Sequence, residues 1–394
     1  MIVQFDRVIA AMLAFSLGVI LASPLAAEVS IDILYLEHQV ERPPTLSNLT
    51  APPRDQGIQG ANLAVRDNST TGRFLKHTYN FRSVIVRPHK DFVARALEAI
   101  DGRPKTYLVV NAPASSLLAL ADHPRMADRL IFNAGAPDNR LRDKDCRANV
   151  LHTSPSRAML ADALVQFLVK KRWIRVFLVV GTRSGDVALG NAFRTAIKKF
   201  RATIVADKTW PFDADLRRSA GAEIPVFTQG FSYDVLIVAD ETDDFGRYIS
   251  YNTWSPRPIA GSHGLRPTAW DRVVEQWGAA QLQRRFRRQT KRAMNARDYA
   301  TWAAVRVIGE AVTRTNSSDI KTVSAYIRSD KFKLAAFKGR PISFRSWNGQ
   351  LRQPIPLVAP GAVVASAPIE GFLHQRTELD SLGLDQSESQ CEFK

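Results

Sequence analysis

Asp298 to Thr313 reads DYATWAAVRVIGEAVT, a helix that is apolar around most of its circumference. Only Asp298, Thr301, Arg306, Glu310 and Thr313 interrupt it, and the last three share one narrow stripe. Such a helix has to be covered on several sides at once, so the chain must build a large α/β body around it. The residues that follow close that body. Gly339 and Pro341 break the chain, and Ile342 to Arg345 alternate as a short strand. Asn348-Gly349 then makes a tight turn, where glycine takes a positive φ at little cost.

The preceding chain alternates strands with helices. Ile31 to Leu36 is predicted as a strand, and Gln56 to Asn68 as a helix. Asp55 is its candidate cap, and Gly57 and Gly60 let another backbone approach. A strand at Asn80 to Val86 and a helix at Phe92 to Ile100 follow. Tyr107 to Asn111 is a buried type of strand ending in the turn Pro113-Ala114-Ser115-Ser116, and Leu130 to Asn133 is another strand. The pattern then restarts with a helix at Arg157 to Lys170, which carries Leu160, Leu164, Phe167 and Leu168 on one face. Next come a strand at Arg175 to Val180, a helix at Leu189 to Phe200 and a strand at Thr203 to Asp207. Val235 to Ala239 is a strand ending in Asp240-Glu241, and Pro258 to Ala260 is a last short strand before Gly261-Ser262-His263-Gly264. This alternation predicts two α/β halves in series, each around a parallel sheet. The tail from Phe372 is polar and is expected to be irregular.

A chain of 394 residues with 45% hydrophobic residues holds two or three domains and a sizeable core. Val8 to Ala27 carries no charge and ends in Pro24-Leu25-Ala26-Ala27, the pattern of a signal sequence cleaved after Ala27. The alternative is an amino-terminal anchor, since the run approaches the roughly 20 residues that span a bilayer. No cysteine lies near the cleavage site, which excludes a bacterial lipoprotein anchor. Export places Cys146 and Cys391 in an oxidising compartment, either as one disulfide tying down the tail or as two unrelated thiols. The net charge is +16. Export argues against nucleic acid as the partner, leaving an acidic protein or an anionic lipid surface. The densest basic run is Gln283 to Arg297, in which Arg284, Arg288, Lys291 and Arg292 share a helical stripe. Such a run is either a solvated face or a docking surface.

Gly57-Ile58-Gln59-Gly60-Ala61, the Ser115-Ser116 turn, Asn133-Ala134-Gly135-Ala136 and the late FKG, FR and NGQ segments occur in a recognisable order. In that order they resemble the type I solute-binding proteins of ABC importers, in the branched amino-acid-binding group. The similarity covers nearly the whole chain after Ala27. The strings PRPIAGSHGLRPTAWDR, DYATWAAVRVIGEAVTRT and FKGRPISFRSWNGQLRQPI look like a narrower subgroup, the binding protein associated with pyrroloquinoline-quinone-dependent alcohol oxidation. That subgroup is defined by gene neighbourhood, so this likeness implies a metabolic setting and not a ligand. The resemblance implies two Rossmann-like lobes joined by three crossings, with solute bound between them. Residues 28–150 plus 265–340 would form lobe one, 151–264 plus 341–369 lobe two, and 370–394 a tail.

Carried over by position, the resemblance implies that Ser115 and Ser116 hold a ligand carboxylate; an ordinary turn capping the next helix fits them equally. Asn111 ends the preceding strand and either bonds ligand or pins the loop. Ala134 and Ala136 stand where the family offers a backbone carbonyl and amide. Pro137-Asp138 replaces the family's next hydroxyl residue and brings a carboxylate instead. Arg183-Ser184-Gly185 replaces a tyrosine-glycine pair, and Arg183 is suited to an anion. His263 stands where the family has an acidic residue. These departures weaken branched amino acids as the ligand. Asp240 and Glu241 offer negative charge, and His38 follows the first strand; a solvated strand end and an unremarkable loop histidine are the plain readings. Trp254 and Trp270 flank the Pro256–Pro267 turn region and serve either pocket or core.

The seven histidines are scattered without metal-ligand spacing, and two distant cysteines make no zinc site. No phosphate-cradling loop and no Gly-x-Ser-x-Gly elbow is present. The expectation is therefore a periplasmic receptor for a small polar solute, partnered by an ABC permease. It would have no catalytic residue, metal or cofactor, and no stable membrane insertion after signal cleavage. The rivals are an accessory protein that docks an acidic dehydrogenase or cytochrome, and a secreted hydrolase on the same fold.

Overall fold

The computed structural model describes residues 28–41, 51–211 and 216–393. The expected signal sequence, with its cleavage site, lies outside the described residues. Five parallel strands form the first sheet: β1 (Val29–His38), β2 (His77–Val86), β3 (Thr106–Asn111), β4 (Ile131–Asn133) and β5 (Val150–His152), in the order β2-β1-β3-β4-β5. β3, β4 and β5 are buried at every residue. Their continuous apolar runs suit strands covered by helices on both faces. Ile33, Tyr35, Val109 and Phe132 enter one core, while Leu34, Leu36, Val110 and Ile131 enter the core on the opposite face.

The second sheet holds β6 (Arg175–Val180), β7 (Thr203–Thr209), β8 (Val235–Ala239) and β9 (Ile259–Gly261), all parallel, in the order β7-β6-β8-β9. It repeats the two-sided design. Leu178, Val180 and Ile237 face one core, and Phe177, Val179 and Leu236 face the other. The helix Arg157–Lys170 and the strands β6 and β8 have the bounds expected from sequence. The helix Leu216–Thr228 is not predicted from sequence, and the helix expected after the Ser115-Ser116 turn begins at Ala114, so both serines lie inside it. Leu216–Thr228 carries Pro225 inside it, so it has a weak helical signature.

The apolar helix spans Ala296–Thr315 and is buried through most of its length, as its composition requires. It lies against the helix Ile58–Leu75. Gly60 makes this close approach possible, because a Cβ there would stand 2.0 Å from the carbonyl oxygen of Asp298. Asp55 does not cap the Ile58–Leu75 helix. Gly57 is the N-cap residue, and its N–H donates to Asp298 Oδ1 at 2.7 Å. A carboxylate from the partner helix thus supplies the acceptor, and Asp55 pairs with Arg292 at 3.1 Å instead.

The closing segments are β10 (Arg266–Pro267), β11 (Leu334–Ala335), β12 (Pro341–Phe344), β13 (Leu351–Arg352), β14 (Ile355–Ala359) and β15 (Ala362–Ala367). They form two small antiparallel sheets, β10-β14-β15 and β11-β12-β13. Ile342, Phe344 and Leu351 pack with the first sheet, and Ile355 and Leu357 with the second, so the chain changes core between 351 and 355. The expected turn at Asn348-Gly349 is present, with Gly349 at φ 67°. Cys146 and Cys391 are bonded, which settles the choice between disulfide and free thiols. The tail is largely irregular, with one short 3₁₀ turn at Glu378–Ser381, yet Asp380 and Leu382 in it are buried. Among the described residues no helix is long and apolar enough to cross a membrane.

Candidate functional site

β1 pairs with β2 on one side and β3 on the other, so the connections after β1 and β3 leave the first sheet in opposite directions. A crevice opens at such a switch point, beyond the carboxyl ends of the strands. Here it is a cavity of about 550 Å³. Glu37, His38, Gln39 and Val40 line it after β1, Asn111 to Ala114 after β3, and Gly135 to Asp138 after β4. Arg157 and Ser184 close it from the helices that cover the second sheet, and Arg54, Gln56 and Arg297 complete its polar wall.

Beneath the first side runs a hydrogen-bonded chain. Asn111 Nδ2 donates to the Tyr35 hydroxyl at 3.2 Å, and that hydroxyl donates to Glu37 Oε2 at 3.0 Å. Burial, reinforced by the charge of Glu37, pushes Tyr35 well above the ordinary tyrosine range and keeps its proton in place. Gly135 must lack a side chain, since a Cβ would stand 2.4 Å from Asn111 Oδ1. His38 Nδ1 lies 2.8 Å from Ser116 Oγ, and its ring stacks on Phe92 with centroids 5.1 Å apart. Burial and the nearby His89 hold the His38 pKa below its usual value, so the ring is neutral near pH 7.

On the other side Arg157 is the central group. Its Nε and Nη2 donate to the two oxygens of Glu241 at 2.6 and 2.7 Å, and Nη1 lies 3.4 Å from Asp138. Arg157 therefore links the loop after β4 to the loop after β8. Its backbone N–H also donates to the Pro137 carbonyl at 2.9 Å. Ser184 opens the helix Ser184–Lys199, whose first turn is tied back by Asp186. Burial, with the charges of Asp240 and Glu241, raises the Asp186 pKa to about 6.

Of the residues singled out from sequence, His38, Asn111, Ala136 and Ser184 line the cavity. Ser116 stands behind His38, while Ser115 is exposed outside the lining. Ala134 is buried beneath the wall. Both backbone groups of Ala136 are engaged within the loop. Its N–H donates to Asn133, and its carbonyl accepts from Asn133 and Arg142, each of those two at 2.8 Å. Arg183 pairs with Asp244. Asp240 is buried and accepts from the backbone N–H groups of Asp244, Phe245 and Gly246 at 2.8–3.0 Å, so it caps that turn. His263 Nε2 lies 2.6 Å from Asp243. Trp270 is in the core, stacked on Tyr299 at 4.5 Å, whereas Trp254 is exposed. Glu37, Arg54, Arg157 and Arg297 were not singled out; only their position after strands or at helix starts marked them.

Asp240, Asp243 and His263 hold ligand-type atoms within 4.8 Å of one another. Asp240 is committed to three backbone donors, and Asp243 to His263 and Arg247, so the cluster braces its own loop. The basic helix Ala279–Thr290 has two faces. Arg285 pairs with Asp67, and Arg292 beyond its end pairs with Asp298 and Asp55. Arg284, Arg287, Arg288 and Lys291 are exposed, and among the described residues they make no ion pair.

No family model matches the chain, and no curated protein matches it in sequence. Solved structures do match. A branched chain amino acid ABC transporter periplasmic ligand-binding protein from Burkholderia xenovorans is similar at a TM-score of 0.71 and 15% identity, over 92% of this chain and 99% of that one. The closed leucine-, isoleucine-, valine-, threonine- and alanine-binding protein of Brucella ovis has a TM-score of 0.68 at 15% identity, over 92% and 99%. A solute-binding protein of an ABC transporter from R. palustris, in complex with benzoate, has a TM-score of 0.63 at 14% identity, over 92% and 100%. The fold is that of the type I periplasmic binding proteins.

Proposed function

We propose that this protein is the periplasmic solute-binding component of an ABC importer, which holds a small polar solute between its two α/β units and hands it to a permease. The observation that carries this reading is the single cleft lined at once by His38, Asn111 and Ala136 from the first unit and by Arg157 and Ser184 from the second. A solute touching both sides favours their closed arrangement by its differential affinity for the two states. A carboxylate suits the site. The helix Ala114–Ala121 starts at the cleft with no side-chain cap, so its first amides are open to an anion. The structural neighbours bind amino acids or benzoate, which fits the same chemistry. No covalent step is required of the protein.

Two measurements test this. Mass spectrometry of protein purified natively from the periplasm should find a retained solute. Thermal melting against amino acids, aromatic and aliphatic carboxylates, alcohols and aldehydes should reveal a class that stabilises the protein. Absence of both a retained solute and any stabilising class overturns the reading, as does turnover of the bound compound.

The likeness of three segments to the alcohol-oxidation subgroup supports a finer proposal, a role beside pyrroloquinoline-quinone-dependent alcohol oxidation. A deletion strain should then grow poorly on primary alcohols and normally on succinate. The exposed stripe of Arg284, Arg287, Arg288 and Lys291 favours a second reading, docking of an acidic periplasmic protein. Changing those four to Gln should abolish a salt-sensitive pull-down, and unchanged capture would dismiss it.

A further inference from the structure

The tail after the last strand is held by both α/β units. On the second unit, Leu382 enters the core and the Gly383 N–H donates to Asp162 at 2.8 Å. Lys199 Nζ donates to the Gly383 carbonyl at 3.1 Å and pairs with Glu388 at 3.0 Å. On the first unit, Asp380 is buried against Arg345 and Arg352, each at 2.8 Å. Arg345 spends its remaining donors on the carbonyls of Leu379, Leu382 and Leu384. Further on, Ser389 Oγ donates to the Arg142 carbonyl at 3.1 Å, the Gln390 N–H to Asp143 at 2.6 Å, and Cys391 is bonded to Cys146.

We propose that this tail is a covalent strap, a further tie between the two units, and that it limits how far they can move apart or together. The carrying detail is at its far end. Glu388 is held by Lys199 of the second unit, and its neighbour Ser389 by Arg142 of the first. Consecutive Cα atoms are about 3.8 Å apart, so one residue step carries the chain from a contact with one unit to a contact with the other. Chain ends fray unless tied down, and the disulfide two residues later holds this one. None of the described tail residues lines the cleft, so the strap acts on the relative position of the units and not on a solute directly. Its consequence for solute capture rests on the receptor reading, but the mechanical claim does not.

The test compares the wild type with Cys146→Ser/Cys391→Ser, and with Lys199→Met/Glu388→Gln in which the disulfide is kept. Hydrogen exchange of residues 384–390 and small-angle X-ray scattering are measured on solute-free protein. Both variants should lose exchange protection in that segment, and their pair-distance distributions should broaden or shift. The second variant serves if the first does not fold. Lost protection with unchanged scattering overturns the strap, because the tail would then move without freeing the units. Unchanged protection in both variants overturns it as well. Since no solute is added, a broadened distribution supports the strap even where the retained-solute experiment fails the receptor reading.

Discussion

Lys338 shows how one residue can carry an unusual charge at the meeting of the two units. Its ammonium is buried, donates to the carbonyls of Ala269 and Pro354, and lies 4.8 Å from the centre of the Tyr299 ring. No carboxylate pairs with it among the described residues. Burial pushes its pKa from 10.5 down to about 7. The unfolded chain keeps this proton up to the ordinary lysine range, while the folded protein releases it near pH 7. Between those values the unfolded state binds more protons, so the contribution of Lys338 to stability rises with pH. Urea unfolding of the wild type minus that of Lys338→Met, measured from about pH 6.5 to about pH 9.5, should show a difference that grows in favour of the wild type as pH rises. A pH-independent difference would remove Lys338 from this account.

At the scale of elements, the pair of helices Ile58–Leu75 and Ala296–Thr315 is held by a close approach and a buried ion pair. Gly60→Ala would drive a methyl group to within 2.0 Å of the Asp298 carbonyl oxygen, so the helices must separate. Overpacking of this kind costs about 1–3 kcal/mol, to be read from the urea midpoint. Asp298 is fully buried, and Arg292 Nη1 lies 2.6 Å from its carboxylate. Arg292→Gln leaves that charge without its guanidinium partner and should destabilise the protein by roughly 3 kcal/mol. Arg284, Arg287 and Arg288 sit one or two turns earlier on the same basic run but face solvent. Changing these three to Gln should shift stability by no more than about 0.5 kcal/mol. Equal effects of the two substitutions would show that the inner and outer faces of the basic run are not distinct.

For the whole molecule, the property that matters is the cleft between two doubly wound sheets. A solute that binds only the folded protein stabilises it by about 2.7 kcal/mol at a hundred times its Kd. His38→Ala and Ser184→Ala should both reduce that gain, since both side chains lie at the wall of the cavity. Ser184→Ala should leave the solute-free melting temperature nearly unchanged because Ser184 is exposed, whereas His38→Ala also loses the contacts with Ser116 and Phe92 and should lower it. Equal solute stabilisation in both variants would place the binding site elsewhere. The two-sheet architecture was legible in the chain, because most of its strands and helices are set by apolar spacing within a few residues. Arg157–Lys170, Arg175–Val180 and Val235–Ala239 needed no distant partner to be recognised. The composition of the cleft was not legible in the same way. Arg157 reads only as the first residue of an amphipathic helix until the fold brings Glu241 and Asp138 to it. Asp240 reads as an available carboxylate until the backbone of residues 244–246 turns back to occupy it. Local periodicity is a property of neighbours along the chain and so belongs to the sequence. Which polar groups remain open to a solute depends on which distant groups reach them first, and only the tertiary structure decides that.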